Sequence, residues 1–107
     1  MTRIKNLIDL KIGQEYFFSF GEIINTKGVF LGMIYEPERS NVREMYFAQI
    51  RYKKWTNTNL VYLNEIGVGN TIKEAKANYG KLDGCYPDTY SNYDLMIEKS
   101  REILSKY

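Results

Sequence analysis

The chain has 107 residues, a formal net charge of +2, a single cysteine and no histidine. That length suits one domain with its own core, so residues 1–107 are read as a single globular unit. A lone Cys85 excludes an intrachain disulfide and a cysteine-built metal site, and the missing histidine removes the commonest general base and metal ligand.

Ile4, Leu7 and Ile8 fall at helical spacing behind Thr2, a ready N-cap, and predict a short opening helix or turn. Tyr16, Phe18 and Phe20 alternate along residues 15–21 and predict a strand with one aromatic face. After an Asn25-Thr26-Lys27-Gly28 turn, residues 28–36 are apolar on both faces, as in a central strand covered twice. Gly32 marks a bulge or a close backbone approach there. A polar loop around Pro37 leads into a long strand over residues 44–55, with Tyr46, Ala48, Ile50 and Tyr52 inward and Gln49, Arg51 and Lys53 outward. Thr56-Asn57-Thr58-Asn59 reads as the next turn, and residues 59–66 as a fourth strand that includes Tyr62 on its inner face.

Gly67-Val68-Gly69-Asn70 then punctuates a change of period. Thr71 and Glu74 have the spacing of a capping box, Ile72, Ala75 and Tyr79 follow at helical spacing, and Gly80 is a left-handed terminator, so a short helix is expected near residues 71–80. Tyr93, Met96, Ile97, Ser100, Leu104 and Tyr107 form the stripe of an amphipathic C-terminal helix near residues 91–106. The fold class is therefore α+β: a small twisted antiparallel sheet of about four strands, with a partly open SH3-like barrel as one form it could take, and helices packed on it.

Chemistry is sparse. Gly67-x-Gly69 before a capped helix lacks the third glycine of a dinucleotide fingerprint, since Ile72 stands there, and no βαβ pattern surrounds it. Cys85 sits beside Tyr86-Pro87 without a histidine to hold it as thiolate. No catalytic residue, cofactor or metal is expected, and the chain is read as a non-enzyme.

The strongest candidate surface is basic and aromatic. Between residues 39 and 54 lie Arg39, Arg43, Arg51, Lys53 and Lys54 against one acid, Glu44, with Trp55 adjoining. Such a strand offers Arg and Trp anchors to a protein, or phosphate contacts and a stacking ring to a nucleic acid. Alternatively, its lysines guard a strand edge against aggregation. A second candidate is Tyr86, Tyr90 and Tyr93, set among Asp88, Ser91 and Asn92 as in loops that bind proteins; Tyr90 and Tyr93 would equally serve to anchor the last helix on the sheet. The opening residues hold no signal-peptide core and no long apolar run occurs, so a cytoplasmic location without a membrane is expected. The abundance of Phe, Tyr, Met, Ile, Asn and Lys over Gly, Ala, Arg and Pro implies AT-rich codons. The expected function is thus a small binding protein with a macromolecular partner, foremost a protein: an accessory protein or inhibitor from a phage or mobile element. A nucleic-acid-binding module is the alternative.

Overall fold

Alternating and doubly apolar segments can bury their faces only by pairing edge to edge, and here they do so in one antiparallel sheet. The computed structural model describes residues 3–20, 25–35, 43–51, 54–82, 90 and 92–107. In chain order the elements are a 3-10 turn η1 (Leu7–Asp9), strands β1 (Glu15–Ser19), β2 (Asn25–Tyr35), β3 (Arg43–Arg51) and β4 (Lys54–Tyr62), a second 3-10 turn η2 (Leu63–Glu65), strand β5 (Gly67–Gly69), and helices α1 (Ile72–Ala77) and α2 (Tyr93–Leu104). The strands lie in the order β4-β3-β2-β1-β5, an open sheet rather than a closed barrel. All four ladders are antiparallel, and one isolated parallel bridge joins Ile34 to Tyr90.

The doubly apolar β2 takes the central place that its pattern predicts, but it starts at Asn25: residues 25–28, expected as a turn, pair with β1 instead, and Gly32 is where the register with β3 slips. Phe30 pairs with Phe47 and Gly32 with Tyr46, so Leu31 has no opposite number and the alternation of side chains changes phase. As a result Phe30 and Met33 share one face, with Phe18, Met45, Phe47 and Val68, and that face is covered by Ile4, Leu7 and Leu10 of the opening segment. Leu31 and Ile34 share the other with Val29, Tyr46 and Ala48, covered by Tyr90 and by Met96 of α2. The sheet therefore lies between two apolar layers, and β2 contributes to both.

The opening turn forms where expected, but its start is set by Asn6 and Asp9: the Asp9 carboxylate accepts from the Asn6 N–H at 3.0 Å and the Lys5 N–H at 3.2 Å. These donors hold Asp9 below the ordinary carboxylate range. Thr2, the expected cap, lies outside the described residues.

Four expected segments fail along β3, β4 and β5. The strand expected over residues 44–55 is two strands, because the chain reverses between Arg51 and Lys54, which pair with each other. Residues 56–59, expected as a turn, run inside β4, with Thr58 opposite Ala48 and Asn59 opposite Phe47. The expected strand over residues 59–66 ends at Tyr62, and Gly67–Gly69, expected as a turn, pairs with β1 as a fifth strand. Asn and Thr favour turns when their side chains cap local backbone. Here the ladder to β3 satisfies that backbone instead. Tyr62, expected inward, is 40% exposed because β4 is an outer strand.

Both helices form. In α1 the Thr71 hydroxyl accepts from the Glu74 N–H at 3.1 Å as a cap should. The Glu74 carboxylate, expected to reach back to the cap's own N–H, instead accepts from the Asn70 N–H at 2.8 Å and from the Ile4 N–H. Asn78 donates to the carbonyls of Val68 at 2.8 Å and Ile4 at 3.2 Å. Of the expected stripe only Ala75 is buried, Ile72 and Tyr79 being exposed, so α1 is held by this polar clamp and by close backbone contact with β5. The turn beyond it passes through Gly80 at φ +65°. In α2 the Asn92 side chain caps the Leu95 N–H at 2.9 Å, Met96 and Ser100 are buried, and Tyr93, Leu95, Ile103 and Leu104 flank them. Two residues of the expected stripe are exceptions: Ile97, 40% exposed, sits one residue round the helix from the Met96–Ser100 line, and Tyr107, 55% exposed, lies past the end of α2.

Candidate binding surface

The β3–β4 hairpin carries the basic-aromatic candidate. Its last rungs pair Arg51 with Lys54 and Ile50 with Trp55, and the register slips between Gln49 and Ile50, leaving Thr56 as the extra residue. Arg51, Lys54 and Trp55 therefore come together at one end of the hairpin. Arg43 does not join them. It is the first residue of β3, opposite Tyr35, eight residues from Arg51 and about 27 Å away along an extended strand. Arg39 and Lys53 lie outside the described residues. The run of positive charge seen in sequence is thus divided between the two ends of β3, because a strand spreads its residues over its length while sequence counting does not.

The tyrosine candidate changes character. Tyr90 is 4% exposed, and its hydroxyl donates to the Leu31 carbonyl at 2.7 Å, next to the bulge in β2. Tyr93 is half-buried against the same apolar cluster. Both attach the approach to α2 to the sheet, while Tyr86 and the Cys85 loop lie outside the described residues. Replacing Tyr90 with Phe keeps the ring and removes the donor. We expect Tyr90→Phe to cost about 1–3 kcal/mol in urea unfolding, the usual loss for a buried partner left unsatisfied. An unchanged midpoint would show that the Leu31 carbonyl finds another donor.

The Gly67-x-Gly69 element has a structural use that its sequence did not reveal. A side chain at Gly67 would run into the Ala75 carbonyl and come within 2.7 Å of the Tyr79 nitrogen, and one at Gly69 within 2.5 Å of the Ala75 nitrogen. These glycines admit the backbone of α1 against β5. No free cradle for a phosphate remains between them.

Two shallow grooves flank the start of β1. One runs along Ile12, Gly13 and Glu15 beside Tyr107, whose hydroxyl donates to the Gly13 carbonyl and is raised in pKa by burial and by Glu15. The other lies by Arg3, Ile8, Asp9 and Tyr16. There the Tyr16 hydroxyl accepts from the Lys11 N–H at 2.9 Å, and burial pushes its pKa up. In each groove a tyrosine hydroxyl is thus engaged in holding the fold. Among the described residues no three Cys, Asp or Glu side chains converge as a metal site. Among them also, no helix is long and apolar enough to cross a membrane.

No protein-family model matches the chain, and no curated protein or solved structure does.

Proposed function

We propose that this chain is a non-enzymatic binding protein that engages a protein partner through the end of the β3–β4 hairpin, with Arg51, Lys54 and Trp55 as anchors and Lys53, their neighbour in sequence, as a further candidate. The observation that carries this reading is the register that pairs Arg51 with Lys54 and Ile50 with Trp55 at the outer hairpin of the sheet. Arg and Trp are the residues on which binding energy most often concentrates, and a cationic flank speeds encounter with an acidic surface. The AT-rich codon bias of the composition supports a phage or mobile-element accessory protein or inhibitor as the setting.

The test is affinity capture with the wild-type chain and with a variant in which Arg51, Lys53, Lys54 and Trp55 are all Ala, each repeated after nuclease treatment. A partner retained after nuclease and lost from the variant, with each of Arg51→Ala and Trp55→Ala costing upwards of about 2 kcal/mol, is the expected result. The same hairpin end also has the elements of a nucleic-acid contact. On that reading nuclease abolishes capture, and Lys54→Ala lowers the salt slope of binding by about one unit. Full capture by the folded quadruple variant would remove this surface from consideration under either reading.

A further inference from the structure

The two edges of the sheet are treated very differently. The β5 edge is three residues long and lies under α1. The β4 edge is nine residues long, and among the described residues its ladder is with β3 alone. Natural edge strands are usually blunted by charges, proline, strong bulges or a covering element. On β4 the one charged residue is Lys54, at its first position, and the strand has no proline or glycine. Its register irregularity is confined to Thr56, which leaves Asn57 to Tyr62 regular. Thr58 and Tyr62 are exposed along this strand.

We propose that the edge of β4 pairs antiparallel with β4 of a second copy of this chain, joining two five-stranded sheets across a two-fold axis at Thr58. A two-fold axis normal to a continuous sheet must pass through a self-paired residue, because opposite residues share a face. With Thr58 self-paired, Asn57 lies opposite Asn59 of the second copy, and the bulged Thr56 falls against its Leu60.

Charge selects the direction. The hairpin end of β4 is basic, with Arg51 and Lys54, whereas the chain beyond Tyr62 leads to exposed Glu65. Antiparallel pairing brings each basic end towards the other copy's Glu65, while parallel pairing would stack Lys54 on Lys54. The occupant is a second copy because this strand supplies both the complementary charge and a self-compatible register. In the joined sheet the two Arg51–Trp55 ends lie about 27 Å apart along the shared edge, so each remains at an outer corner. This assembly does not rest on the hairpin end binding a partner, and the two are read out separately.

Sedimentation equilibrium of the full chain, from about 1 to 200 µM, is the test. The expected mass at the upper concentrations is twice 12.6 kDa. Thr58→Lys sets like charges across the axis and should weaken association by about tenfold or more, while circular dichroism shows an unchanged fold. Thr58→Glu should do the same, and mixing the Lys and Glu variants should restore a dimer of one of each. A wild-type chain that stays monomeric throughout would overturn the proposal. So would a folded Thr58→Lys variant that dimerises like wild type, or equimolar Lys and Glu variants that stay apart.

Discussion

Phe47→Ala is expected to lower the stability of this protein by about 3–5 kcal/mol, enough to unfold a large fraction of a marginal domain. Phe47 is fully buried on β3 and stacks on Phe18 of β1, with centroids 4.4 Å apart and planes 16° from parallel. The two strands are not neighbours, since β2 runs between them. The Phe18 ring lies close to Gly28, where a side chain would come within 3.2 Å of it. Phe20 leans on the same ring of Phe47 at 5.4 Å. Truncation removes a large apolar surface and leaves a cavity that the Phe18 and Phe20 rings, held by β1 two strands away, cannot collapse to fill. Urea unfolding monitored by circular dichroism measures the loss. A variant within about 1 kcal/mol of wild type would mean that the layer under the opening segment is loosely packed.

Gly67→Ala is expected to be nearly as damaging, although it adds only one methyl group. Its new carbon would run into the Ala75 carbonyl and come within 2.7–2.9 Å of the Tyr79 backbone, all main-chain atoms of α1 and the turn after it. Backbone cannot turn aside as a flexible side chain can, so α1 must lift from β5. Lifting it takes away Asn78, which binds the Val68 and Ile4 carbonyls, and Glu74, which holds the N–H groups of Ile4 and Asn70. The opening segment that covers one face of the sheet is tied down partly through those bonds. Overpacking alone costs about 1–3 kcal/mol, and the loss of this clamp places Gly67→Ala at or above that range. Hydrogen exchange should localise the effect, with faster exchange at the Ile4 and Asn70 amides ahead of those in β2 and β3. Wild-type stability and exchange would show that α1 does not sit against β5.

Much of this architecture was legible before the fold. Periodicity alone gave β1 its aromatic face, and apolar residues on both faces put β2 in the centre. Thr71 and Asn92 begin their helices as capping chemistry requires, and Met96 and Ser100 mark the buried line of α2. Local signals of this kind are read by the nearest turn of chain, so they survive in the sequence. Three features were decided only by tertiary contacts. The reversal between Arg51 and Lys54 spans Tyr52 and Lys53, with no glycine, proline or asparagine to announce it, while the turn-like Thr-Asn-Thr-Asn run became strand because β3 offered it a ladder. Gly67–Gly69 became a strand because β1 had a free edge that three residues could fill without obstructing α1. The basic residues around β3 looked like one patch in sequence, yet Arg43 and Arg51 stand at opposite ends of it. Composition supplied the charge and the aromatic rings; which of them meet depends on register, a property of pairs of strands that no single strand encodes.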